Sequence, residues 1–109
     1  MSRILRIVER ARADVDDIFN WIARRSTYGA FSWYLAFRDA INKIADSPES
    51  FSEASESNSL CRQLRQIMFK TRRGRVYRIV YEVSETEIIV LRVRGSGQSP
   101  LRRRDLPGR

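Results

Sequence analysis

Three arginines occupy two neighbouring strand-like segments, and their chemistry is the recognition of oxyanions. Arg78 lies in RVYRIVYEV (75–83), and Arg92 and Arg94 lie in EIIVLRVRG (87–95). A guanidinium group is planar and donates paired hydrogen bonds to a phosphate or a carboxylate. Three such groups on one surface could bind a phosphate and stabilise the charge that develops on it during a reaction.

The register of the hairpin decides whether the three arginines can meet. A regular hairpin in which Val83 pairs with Ile88 puts Arg78 on one face of the sheet and Arg92 and Arg94 on the other, because side chains alternate along a strand. A one-residue slip or a β-bulge would bring all three arginines to one face. The sequence leaves both arrangements open.

The remaining cations are concentrated in the second half of the chain. Residues 1–57 contain eight Lys or Arg against nine Asp or Glu, whereas residues 58–109 contain thirteen against four. Seven cations and no acid lie between positions 62 and 78, so we expect salt-dependent binding to a polyanion or an acidic partner. The candidates next to Arg78 are Lys70, Arg72, Arg73 and Arg75.

Other chemistries are excluded by composition. The 109 residues include no histidine and one cysteine, Cys61. A His-based triad and an internal disulfide are therefore impossible, and we expect no metal and no cofactor. The apolar runs are too short to cross a bilayer, which predicts a cytoplasmic protein without membrane attachment.

The elements that must position the arginines follow from periodicity. Residues 3–8 predict a strand, and residues 10–25 predict an amphipathic helix. A second helical pattern starts near residue 30 and ends at Ser47, before Pro48, with Ser26 or Thr27 as its N-cap. The short connection predicts an antiparallel helical hairpin, in which Trp33 and Phe37 belong to the core.

The second half predicts a sheet. Residues 49–60 are rich in serine and glutamate and predict an exposed loop. Strand-like runs follow at 64–70, 75–83 and 87–93. The predicted fold is α+β, with the order β-α-α-β-β-β and a helical hairpin on a small, mostly antiparallel sheet. We expect one domain over residues 1–98 and an irregular or flexible basic tail over residues 99–109.

The order of these elements, together with YRIVY (77–81) and IIVLRVRG (88–95), resembles the RelE/ParE superfamily of toxins from bacterial type II toxin–antitoxin modules. Ala11, Asp14 and Ile18 in the first helix add support, and the resemblance extends from Arg3 to Gln98. It implies a small basic toxin that is held inactive by an acidic antitoxin encoded beside it.

The superfamily contains two activities. RelE-like members cleave messenger RNA on the ribosome, and this resemblance implies that Arg78 binds the phosphate, that Lys70, Arg73 and Arg75 supply further catalytic cations, and that the target contacts are Arg72, Arg92, Arg94 and Gln98. No tyrosine follows Tyr81, so the expected proton donor is missing. ParE-like members inhibit DNA gyrase. The acid-free basic segment favours messenger cleavage, with gyrase inhibition or an inactive toxin-like binding domain as alternatives.

Overall fold

The fold joins a helical hairpin to a four-stranded sheet, and a computed structural model describes residues 3–107 of it. The strands are β1 (Ile4–Ile7), β2 (Arg65–Phe69), β3 (Tyr77–Val83) and β4 (Glu87–Gly95). The helices are α1 (Glu9–Ala23), α2 (Thr27–Asp46) and the short α3 (Ser57–Leu60). The predicted α+β class and the order of its main elements are confirmed.

The second helix of the hairpin begins and ends at the signals that the sequence predicts. The Ser26 hydroxyl accepts the Gly29 N–H at 2.9 Å and caps α2, and α2 stops at Ser47, before proline. Trp33 and Phe37 are buried, as predicted, with stacked rings whose centroids are 5.8 Å apart. The hairpin therefore covers one face of the sheet with its apolar side.

The sheet has the strand order β1-β4-β3-β2. β1 runs parallel to β4, and the other two pairings are antiparallel. The face towards the helices carries the main core. The opposite face, called the second face below, carries a smaller core with the following members: Ala54, Leu64, Val80, Leu91, Leu101 and Leu106.

A β-bulge in β4 sets the position of the three arginines. Leu91 is an extra residue in the pairing with β3, and beyond it Val80 pairs with Arg92 and Arg78 pairs with Arg94. Cross-strand partners share a face, so all three arginines lie with Val80 on the second face. The bulged alternative is therefore confirmed, and the regular hairpin does not form past this point.

The predicted exposed loop at 49–60 is partly buried. It contains α3, and Ala54, Glu56 and Ser57 are shielded from solvent. The Ser57 hydroxyl both donates to the Leu64 carbonyl and accepts its N–H, each at 3.0 Å. These bonds satisfy the polar groups of the segment, so it can pack against the second face.

The basic tail also packs onto the sheet. Its residues 99–107 are irregular apart from one 3-10 turn (Arg103–Asp105). Leu101 and Leu106 are only 4% and 6% exposed and contact the second-face core. The segment is therefore held in place up to Pro107, and Gly108 and Arg109 lie outside the described residues.

Leu101→Ala and Leu106→Ala test whether the tail is part of the fold. Each substitution removes buried side-chain volume and is expected to lower the free energy of unfolding by about 2 to 5 kcal/mol, measured by urea denaturation. Ser99→Ala, at an exposed position of the same segment, should leave it unchanged. Equal stability of all four proteins would contradict the packing of the tail.

Candidate functional site

The first arginine of the second face is bound by a carboxylate from the loop after α2. The Arg78 guanidinium donates two hydrogen bonds to Glu56, one of them at 2.8 Å, and a third to the Gln66 side-chain oxygen at 2.9 Å. This is the bidentate geometry in which arginine binds a carboxylate most strongly. The group predicted to bind a phosphate thus already has an oxyanion partner.

Glu56 is nearly inaccessible, at 3% exposure. It accepts the Leu101 N–H at 2.9 Å in addition to the bonds from Arg78. The hydrogen bonds from Arg78 lower the pKa of Glu56 to about 2, against the opposing effect of burial. The carboxylate is therefore charged at neutral pH and joins the loop, β3 and the tail.

The second arginine is bound by α1. The Arg92 guanidinium donates to the two carboxylate oxygens of Asp14 at 2.7 and 2.8 Å, and this pairing raises the pKa of Arg92. Asp14 also accepts the Val93 N–H at 2.9 Å. Since β1 pairs with β4 only as far as Val90, Asp14 satisfies the strand edge where β1 has ended.

The third arginine is bound by the tail. The Nη2 atom of Arg94 lies 3.3 Å from the Oδ2 atom of Asp105, and the other carboxylate oxygen of Asp105, Oδ1, lies 3.7 Å from the Nη1 atom of Arg92. Burial and the nearby charge of Arg92 lower the pKa of Arg94, and its Nε has no acceptor among residues 3–107. Three guanidinium groups thus face three carboxylates, so the cluster formed by Arg78, Arg92, Arg94, Asp14, Glu56 and Asp105 carries no net charge.

The other predicted site cations precede Arg78 in the chain and lie outside the ion-pair cluster. Lys70, Arg72, Arg73 and Arg75 are exposed in the connection between β2 and β3. This connection lies at the end of the sheet where β3 begins and β4 finishes. Gln98 is at the same end, where its side-chain oxygen accepts the Gly95 N–H at 2.6 Å.

Apolar side chains are exposed among these cations. Trp21, Met68 and Val76 are 39%, 54% and 42% exposed. The guanidinium carbons of Arg25 and Arg75 lie 3.9 and 5.7 Å from the Trp21 ring centroid, within cation–π distance. We call this mixed region the open-end surface, with the following members: Trp21, Met68, Lys70, Arg72, Arg73, Arg75, Val76 and residues 96–98.

Shallow cavities lie within the open-end surface. A cavity of about 410 Å³ lies between Trp21, Arg75 and the 95–98 turn, and one of about 300 Å³ lies between Trp21 and Gly74. Trp33 lines the smaller of the two, and its buried indole N–H has no acceptor among the described residues. A third cavity, of about 200 Å³, leads towards Arg78 and Arg94.

The structure thus divides the predicted site residues into two groups. It brings Arg78, Arg92 and Arg94 together with acids on the second face, and it places the other candidates on the open-end surface. Sequence reasoning missed Glu56, which nothing distinguishes from the other glutamates of its loop. It also missed Trp21, although this residue falls outside the apolar stripe of α1 and that position was a usable signal.

Residues 3–107 contain no group of three or more acids, cysteines or histidines placed to hold a metal ion. Within the same range, none of the helices has the length and apolar character needed to cross a bilayer.

The order of the elements and the mixed four-stranded sheet define a RelE/ParE-like α+β domain. Residues 5–100 match the family described as "ParE toxin of type II toxin-antitoxin system, parDE". The chain therefore belongs to this family: it is a toxin of a type II toxin–antitoxin system, and its partner is an antitoxin. No curated protein matches the chain.

Acid titration tests the role of Glu56. Its pKa of about 2 in the folded protein is below the ordinary value of 4.5, so its contribution to stability is present above pH 4.5 and disappears as the pH falls towards 2. At roughly 1.4 kcal/mol per pKa unit, we expect Glu56→Gln to lower the free energy of unfolding at pH 7 by about 3 kcal/mol.

The difference between the two proteins should shrink below pH 4.5, because glutamine resembles the protonated acid. Glu53→Gln is the matched control at an exposed position of the same loop, and it should follow the wild-type pH profile. A Glu56→Gln protein with unchanged stability at pH 7 would contradict the role of the ion pair.

Proposed function

We propose that this toxin inhibits growth by binding DNA gyrase through the open-end surface, and not by cleaving messenger RNA. The observation that carries the proposal is the engagement of the strand arginines: Arg78, Arg92 and Arg94 each face a carboxylate of the same chain. Gyrase inhibition is the activity that resemblance to the ParE branch implies.

RNA cleavage needs a group that activates the 2′-hydroxyl, a cation for the phosphorane and an acid for the leaving oxygen. Arg78 would have to leave Glu56 before it could bind a phosphate, and this would leave a buried carboxylate unpaired. The sequence has no histidine. Tyr81 is buried, donates to the Pro48 carbonyl at 2.6 Å and has a pKa raised to about 12 by burial, which makes it a poor proton donor.

The open-end surface has the composition of a protein-binding surface. Its exposed indole, thioether and valine side chains lie among four cations, and protein interfaces combine an apolar centre with a charged rim in this way. Tryptophan and arginine are also the residues that contribute most to binding energy in such interfaces.

Inhibition of supercoiling by purified gyrase tests the proposal. We expect the wild-type toxin to abolish supercoiling of relaxed plasmid, and Arg72→Gln/Arg73→Gln to raise the half-inhibitory concentration by about tenfold, which corresponds to about 1.4 kcal/mol of binding energy. Arg38→Gln/Lys43→Gln removes the same charge from exposed positions of α2 and should inhibit like the wild type.

Two results would overturn the proposal. One is continued supercoiling at a stoichiometric excess of toxin. The other is cleavage of translated messenger after induction, abolished in an Arg78→Ala protein that remains folded, because it would restore the predicted catalytic role of Arg78. Equal weakening by both charge-removing pairs would show that inhibition follows net charge and would remove the open-end surface from the proposal.

A further inference from the structure

A second exposed cationic surface lies on the tail, separate from the open-end surface. Arg102, Arg103 and Arg104 are consecutive and all exposed. Their 3-10 turn rests on the second face, between the buried side chains of Leu101 and Leu106. Gyrase binding through the open-end surface does not use these three arginines.

The turn is fixed by hydrogen bonds that do not involve the side chains of Arg102, Arg103 and Arg104. The Asp105 carboxylate accepts the Arg102 N–H at 2.8 Å, and the Asp105 N–H donates to the Arg102 carbonyl at 2.9 Å. Arg62 donates to the Pro107 carbonyl at 3.0 Å and holds the end of the segment. The backbone is therefore ordered before any ligand binds, which reduces the entropy lost on binding.

The nearest acid in sequence is directed inward. The Asp105 carboxylate is within ion-pair distance of Arg92 and Arg94, and it interacts with the charge of Arg104 only at longer range. Arg10 of α1 lies against the turn and donates to the Arg104 carbonyl. We call Arg10, Arg102, Arg103 and Arg104 the tail patch. None of the four side chains has a carboxylate partner within the described residues 3–107.

We propose that the tail patch binds the phosphate backbone of duplex DNA without regard to sequence. The patch consists of guanidinium groups, and the apolar side chains next to it, Leu101 and Leu106, point into the core. The buried centre of a protein–protein interface is usually more apolar than the rest of the surface, and exposed apolar side chains of this kind occur on the open-end surface but not within the tail patch. A regular row of phosphates needs only charge and hydrogen-bond donors, and arginine supplies both.

The tail patch thus differs from the open-end surface in the class of partner it fits. This inference does not depend on the identity of the protein target. It predicts a DNA contact that can be measured with the toxin alone.

Fluorescence anisotropy with a labelled 20-base-pair duplex of arbitrary sequence tests the inference. For the full-length toxin, log K should fall linearly with log of the NaCl concentration between about 50 and about 200 mM. Arg102→Gln/Arg103→Gln/Arg104→Gln should bind more than about tenfold more weakly at low salt, and its slope should be smaller by roughly three, because each lost phosphate contact removes about 0.9.

The matched control removes three charges from exposed positions of the helical hairpin. Arg24→Gln/Arg38→Gln/Lys43→Gln should retain most of the affinity and the slope for DNA. The replacement of the three tail arginines by lysine should also retain most of the binding, because lysine keeps the positive charge that contacts the phosphates. Circular dichroism checks that each protein is folded.

Three outcomes would overturn the inference. The first is the absence of DNA binding by the wild type at about 50 mM salt, and the second is equal loss in both glutamine triples, which would assign binding to net charge. The third is displacement of the duplex by polyglutamate of equal total charge as effectively as by unlabelled DNA, because it would make the tail patch a site for acidic polypeptides. Gyrase inhibition is measured separately, so its failure would not be confused with any of these.

Discussion

The structure depends on the neutralisation of three arginines that share one face of a small sheet. Arg78 lies directly opposite Arg94 on neighbouring strands, and like charges in that arrangement repel each other. The carboxylates that offset the repulsion come from three distant parts of the chain: Asp14 from α1, Glu56 from the loop after α2, and Asp105 from the tail. Each ion pair therefore also holds a peripheral segment against the sheet. Removal of one partner would leave a buried charge unpaired and would release a segment at the same time.

The same residue type serves two purposes in this chain, and location decides between them. Arginines in the second face have acidic partners and hold the fold together. Arginines in the connection before β3 and in the tail turn are exposed and remain accessible to other molecules. The two exposed groups differ again, since apolar side chains accompany only the first. This division gives a chain of 109 residues two separate exposed cationic surfaces, one at the open end of the sheet and one over its second face.

Periodicity in the sequence was sufficient to predict the fold class, the helical hairpin, the three C-terminal strands and the core role of Trp33. These features depend on local apolar spacing and on signals such as Ser26 and Pro48, which act over a few residues. The partners of the arginines were not predictable in this way. Asp14 and Arg92 are 78 positions apart, and no local pattern distinguishes Glu56 from its neighbouring glutamates. The packed tail was missed for a related reason: two leucines among glycine, proline and arginine give no periodic signal.

The bulge at Leu91 makes the pairing of β4, as well as its composition, a condition for the ion-pair cluster. Regular pairing of the same residues would place Arg92 opposite Ile79 and Arg94 opposite Tyr77, towards the core under the helices, whose members are all apolar or aromatic. An insertion of one residue in the turn at 84–86 would leave the pairing beyond it intact. Homologues that share the ion-pair cluster should therefore vary in length at the turn and should have either the bulge with its extra residue or a regular strand that lacks Leu91, because both arrangements place Arg92 opposite Val80. A gap at Val93, in contrast, would place Arg92 and Arg94 on opposite faces and would identify members that have rebuilt the second face.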